Sequence, residues 1–238
     1  MYANSPYREI RALHDDEFIR VYQAYNENIA NLAAKANSFE PARLAKYWSP
    51  NRTTWIKPSA VWMAYRCGWS TMKDENQARV LALDLSRPKF ENMMLGACLA
   101  SDVQNKSPTS EKPPIVVQWD PEREMCGNVP GNQIYTRGLS RVRSIQIGFR
   151  DSAVKMLLDP SFVLRITDVT NDFRQAANLL NNNDIEGASK ILWKNGPEKP
   201  MKISEELKEV LGMIKIAKPD SQHLSKDIFS KRNPKNNL

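Results

Sequence analysis

Lys57, Ser59, Tyr65 and Arg66 fall within one short stretch, and they carry most of the chemistry this sequence offers. A Lys and a Ser at a strand-to-helix turn, beside unpaired helix N–H groups, can meet a substrate that carries an ester or a phosphate. Asp120 and Glu122 form a second candidate group, separated by Pro121 and directly following the apolar run Ile115-Val116-Val117. Two carboxylates at a strand end suit a guanidinium or ammonium group, which an Arg fork matches in bidentate fashion. The same residues also suit a helix start, with Asp120 as N-cap and Pro121 in the first turn. Arg137, Arg141, Arg143, Arg150 and Lys155 make the densest basic stretch. Arg141 and Arg143 share a face if the segment is a strand, where they can lie on phosphates or simply form a solvated edge.

The elements that must position these groups follow from the local patterns. Thr53–Ile56 reads as a strand end, Lys57-Pro58-Ser59 as a turn, and Ala60–Arg66 as a helix ended by Gly68. Trp55, Trp62 and Trp69 recur every seven residues, about two helical turns, so they serve equally as core with Lys57 snorkelling past them. Upstream, Tyr7–Leu13 fits a short strand and Phe18–Ala24 a central one, and Asn26 caps a helix to Ala36. A short helix is expected over Arg43–Tyr47. Downstream, Arg79–Leu85 reads as a strand, Pro88 opens a helix to about Leu99, and Ser101–Pro114 is a polar loop. Ile115–Trp119 is a strand, Met125–Leu139 a long glycine-bearing loop, and Val142–Phe149 a cleanly alternating strand. A helix over Asp151–Leu158, a strand over Phe162–Val169, a helix capped by Thr170 and running to Asn181, and helices over Asp184–Trp193 and Ser204–Ile214 complete the pattern. The mixed order of elements predicts α+β: a single domain over 1–216 with a mixed sheet flanked by helices, then a basic, frayed tail over 217–238.

The chain has 238 residues, 41% of them hydrophobic, and a formal net charge of +7. Such a charge attracts polyanions, whether nucleic acid, phosphorylated ligands or anionic membranes. No apolar run approaches the roughly 20 residues that span a bilayer. The first residues do not form a signal peptide, so a cytosolic location without membrane contact is expected. Three widely spaced cysteines and two histidines make neither a disulfide framework nor a metal motif. No GxGxxG or GxxxxGK[ST] loop is present. No cofactor, metal or stable protein partner is expected.

Five segments together resemble one family. They are Tyr22-Gln23-Ala24-Tyr25, the Trp-rich block from Thr54 to Trp69, Gln118–Arg123, Arg143–Gly148 and Ile166–Thr170. The chain is similar over about residues 7–195 to a domain-of-unknown-function family of bacteria and fungi, whose fungal members are arginine-containing cyclodipeptide synthases. The resemblance implies that two aminoacyl-tRNAs, one carrying Arg, donate residues to a 2,5-diketopiperazine. The esters are already activated, so neither ATP nor metal is needed. With it goes an expected catalytic group of Ser59, Lys57, Tyr65 and Arg66: Ser59 as acyl acceptor, Lys57 lowering its pKa or holding the terminal tRNA phosphate, Tyr65 or a carboxylate relaying a proton, and Arg66 or helix-start N–H groups steadying an oxyanion. Direct attack without an acyl-enzyme is equally compatible. Asp120, Glu122, Tyr22 and Gln23 are the expected substrate contacts, and Arg137, Arg141, Arg143 and Arg150 the expected tRNA contacts. Two other classes remain open. One is an ADP-ribosyltransferase-like enzyme that uses NAD, suggested by Val21–Tyr25 and the helix after it. The other is a non-catalytic RNA-binding protein.

Overall fold

Every position of Val80–Leu85 is buried, which marks the strand around which the rest is layered. The computed structural model describes residues 5–71, 74–104, 113–131 and 134–214, so the expected basic tail lies outside the described residues. In chain order the elements are β1 (Arg11–Ala12), β2 (Phe18–Tyr25), α1 (Glu27–Ala36), α2 (Glu40–Leu44), β3 (Thr54–Ile56) and α3 (Ala60–Cys67). There follow β4 (Arg79–Ser86), α4 (Arg87–Met94), β5 (Cys98–Leu99), α5 (Ala100–Gln104), β6 (Ile115–Met125) and β7 (Thr136–Phe149). The last are β8 (Val163–Asp168), α6 (Thr170–Asn181), α7 (Ile185–Leu192), β9 (Lys199–Pro200) and α8 (Glu205–Val210).

Three sheets arise, ordered β2-β4-β8, β3-β7-β6-β5 and β1-β9. The first is antiparallel throughout, whereas β5 joins β6 in parallel, which makes the second sheet mixed. The fold is α+β. Strand β4 divides its side chains between two cores. Leu81, Leu83 and Leu85 face one with β6 and β7; Val80 and Ala82 face the other with α3, α6 and α7. This is the strand period of two, with both faces covered, so hydrophobicity runs continuously along the strand. Arg20 and Asp84 stand opposite each other in the β2–β4 register, buried and joined by two hydrogen bonds of 2.7 and 2.9 Å. Beyond the end of β3 the first two sheets meet: Tyr22 and Lys57 exchange backbone hydrogen bonds of 2.7 and 3.1 Å.

Several local expectations give way to long-range pairing. Asp120-Pro121-Glu122 does not start a helix; it lies inside β6, at an irregularity in the β6–β7 register that accommodates a proline. The expected loop over Met125–Leu139 is shorter than read: β6 runs to Met125 and β7 begins at Thr136 and pairs back onto β6, so the two ends of that range are strand. Helix α4 ends at Met94 rather than near Leu99, since Cys98 and Leu99 pair with Val116 and Val117. The polar stretch after it opens with α5, and residues 105–112 lie outside the described set. The short second helix sits at Glu40–Leu44 instead of Arg43–Tyr47, with Pro41 in its first turn and Lys46 in a left-handed conformation beyond its end. Of the expected first strand, Arg11–Ala12 forms a short ladder against Lys199–Pro200, and Arg8 makes an isolated bridge to Arg143. Asp151–Leu158 is a 3-10 segment.

Candidate functional site

Helix α3 is built where it was expected. Ser59 is its N-cap, with Oγ accepting the Trp62 N–H at 3.2 Å, and Gly68 ends it at φ 55°. The turn before it aims Lys57 inward. Its side chain is 1% exposed, and its Nζ donates to Asp120 Oδ2 at 2.9 Å. The same ammonium lies 3.1 Å from the centre of the Trp62 ring, a cation–π contact of the desolvated kind. Burial pushes the Lys57 pKa down to about 7, against the pull of Asp120 and Glu122.

Asp120 also accepts from Gln118 Nε2 at 2.9 Å. Gln118 and Asp120 are alternate residues of β6, so both reach the same side. There a cavity of about 750 Å³ opens, walled by Lys57, Asp120, Gln118, Gln23, Trp55 and Trp62 among others. Gln23 is 7% exposed, and its Oε1 is buried with no hydrogen-bond partner among the described residues. Trp55 lies flat against β7 because Gly148 has no side chain; a Cβ there would stand 3.0 Å from the indole.

Behind this wall sits a second layer that does not line the cavity. Ser59 Oγ donates to Glu122 Oε1 at 2.8 Å, and the Arg123 N–H donates to the same oxygen at 2.7 Å. Ser59 is 1% and Glu122 3% exposed. Burial raises the Glu122 pKa, opposed by the Arg123 N–H and Ser59 hydrogen bonds and by Lys57. Glu198 accepts the Ala60 N–H at 2.7 Å, inside the first turn of α3. Its burial, with Glu122 nearby, pushes its pKa up to about 8. Nothing in the sequence around Glu198 marks it; a single Glu in a polar connection has no periodic signal. Gln118 was within reach, being two residues before Asp120 on a strand.

The remaining expected residues divide. Tyr22 is core: its ring packs on Phe173 at 6.0 Å, burial drives its hydroxyl pKa upward, and only its backbone meets Lys57. Tyr65 carries the Arg123 guanidinium 3.1 Å over its ring and lines a separate cavity of about 420 Å³. Arg66 lines both cavities and donates to Gln77 Oε1 at 2.6 Å. Arg143 stands on the sheet face opposite Asp120, because Asp120 is registered with Ser144, and its Nε donates to the Tyr7 hydroxyl at 2.8 Å. Arg137 is exposed and pairs with Glu124, Arg141 is exposed, and Arg150 precedes the 3-10 segment. None of these four arginines lines the cavity.

Among the described residues no group of three or more His, Cys, Asp and Glu is placed to hold a metal ion, and no helix is long and apolar enough to cross a membrane. The family described as a domain of unknown function, DUF4291, matches residues 9–198, and the chain belongs to it. No curated protein matches the sequence.

Proposed function

With membership of that family as the premise, we propose that this chain is an aminoacyl-tRNA-dependent cyclodipeptide synthase that joins an arginyl and a second aminoacyl group into a 2,5-diketopiperazine. The observation that carries the reading is Lys57: a buried amine with a pKa near 7, held by Asp120 at the wall of a large polar and aromatic cavity. An activated ester needs no phosphate chemistry. It needs a base for the attacking α-ammonium, a counter-charge for that base, and room for two aminoacyl groups. A neutral Lys57 is the base, and a pKa near the working pH suits that task. Asp120 holds the resulting ammonium.

The reaction takes two equivalent steps. The α-amine of one aminoacyl group attacks the ester carbonyl of the other. The C–O bond to the tRNA ribose breaks, and the proton taken from the amine passes to the departing ribose oxygen. The free amine of the dipeptidyl ester then attacks its own remaining ester, closing the ring and releasing the second tRNA. Ser59 is spent on α3 and Glu122 and does not line the cavity, which favours direct attack over an acyl-serine. Glu122 is likewise engaged. The arginyl guanidinium is therefore assigned to the indole of Trp55, with Gln23 Oε1 and Asp120 as acceptors.

The test is expression in a bacterial host, which supplies every charged tRNA, with mass spectrometry of the medium. A new arginine-containing diketopiperazine that disappears in Lys57→Met is the expected outcome. Soluble protein that yields none, in cells or with purified charged tRNAs, refutes the reading.

A further inference from the structure

The cavity wall carries three cations, Arg52, Lys57 and Arg66, against one carboxylate, Asp120. Lys57 and Asp120 satisfy each other, so the surplus belongs to the two arginines. Arg52 is exposed, and among the described residues its guanidinium makes no ion pair or hydrogen bond. Among the described residues Arg66 hydrogen-bonds the neutral Gln77 and no carboxylate. Elsewhere Arg20, Arg79 and Arg87 are each neutralised by a carboxylate. Beside Arg52 the wall is aromatic. Tyr47 is 52% exposed and Trp55 is half-buried. The segment bearing Tyr47 is held in place from below. Trp48 stacks on Phe39 at 5.5 Å, its indole N–H donates to the Tyr25 hydroxyl at 3.0 Å, and the Tyr47 N–H is bonded to the Ala42 carbonyl.

Fixed aromatic faces interleaved with uncompensated arginines are what single-stranded nucleic acid requires: bases stack, and phosphates pair. We propose that the rim formed by Tyr47, Arg52 and Arg66 docks the unpaired 3′-terminal nucleotides of an RNA strand, with a base on Tyr47 and phosphates on the two arginines. This rests on the synthase reading for its occupant, since an aminoacyl-tRNA carries its ester at such an end, and a strand seated there delivers the ester toward Lys57. It moves the contact away from Arg143, which lies across the sheet.

The probe is a short fluorescent single-stranded RNA ending in CCA and bearing no amino acid, followed by anisotropy at several salt concentrations. The intact chain binds it in preference to duplex RNA. Tyr47→Ala and Arg52→Ala each weaken binding roughly tenfold, Tyr47→Phe retains it, and Arg52→Ala also reduces the salt slope by about 0.7. The site is overturned by any of four outcomes: no RNA binding by the wild type, preference for duplex, undiminished binding in both alanine variants, or a larger loss from Arg143→Ala than from Arg52→Ala. Because the probe has no ester, its binding is independent of the chemistry. Rim-dependent RNA binding without any diketopiperazine sinks the synthase reading and keeps the docking site. Undiminished product from Tyr47→Ala/Arg52→Ala does the reverse.

Discussion

Replacing Lys57 and Asp120 together, as Lys57→Met/Asp120→Asn, should abolish product formation and at the same time stabilise the fold below pH 7. Lys57 is 1% exposed and its pKa falls from 10.5 to about 7 even with Asp120 beside it. At roughly 1.4 kcal/mol per pKa unit, the charged form is about 5 kcal/mol less favourable in the folded chain than in the unfolded one. Exchanging a buried ion pair for neutral groups of similar volume typically gains about 1–4 kcal/mol. Asp120 is partly open to the cavity, so a gain of about 2–4 kcal/mol at pH 6 is expected. The pH dependence has a definite sign. Below pH 7 both states of the wild type hold the Lys57 proton, and the penalty is complete. Between about 7 and 10.5 the unfolded chain binds more protons, so wild-type stability rises with pH. The gap between wild type and variant therefore shrinks by about 2 kcal/mol from pH 7 to pH 9. Urea unfolding followed by tryptophan fluorescence at these pH values reads it. Glu198 titrates in both proteins and cancels in the difference. A double variant less stable than wild type at pH 6, or a gap that does not change with pH, refutes the argument that burial sets the state of this amine.

Ser59→Ala removes a helix cap and the donor to a buried carboxyl, and should cost about 1–3 kcal/mol. Its rate per folded molecule should stay within a few-fold of wild type, and a loss of a thousandfold in single-turnover assays would restore the acyl-serine route. Glu198 holds its proton up to about pH 8 in the folded state, so its contribution to stability is complete below about pH 4.5 and is lost as pH rises through 8. Glu198→Gln should flatten that part of the stability profile, and a profile unchanged from wild type would show that the carboxyl is not the group titrating. Gly148→Ala places a Cβ 3.0 Å from the Trp55 indole. The ring must give by a few tenths of an ångström toward the cavity, so product yield should fall while the thermal midpoint shifts only a few degrees; full activity would mean that Trp55 does not wall the substrate site.

Much of the scaffold was legible because its signals are local. Asn26 caps α1 through Oδ1 on the Ile29 N–H, and Ser59 and Gly68 bound α3; each acts within a few residues. The alternation of Val142–Phe149 survives in β7 because a strand with one face in a core keeps its period. The reading failed where a remote partner outvoted the local pattern. Asp120-Pro121-Glu122 has the residues of a helix start, but Ser144 and Arg143 hold the segment in a ladder. Thr170 begins α6 without capping it, because its Oγ1 is taken by the Val80 N–H at 3.0 Å.

By itself, then, the sequence determined the positive charge and the strand–turn–helix at Lys57-Pro58-Ser59, since these rest on composition and on neighbours in the chain. The tertiary structure alone decided which carboxylate meets which partner. Lys57 with Asp120 and Ser59 with Glu122 are each joined across 63 positions, and Ala60 with Glu198 across 138. It also decided that Lys57 is buried at the cavity wall. Strand register and burial are collective outcomes of packing, and they convert an ordinary lysine into an amine that gives up its proton near neutrality.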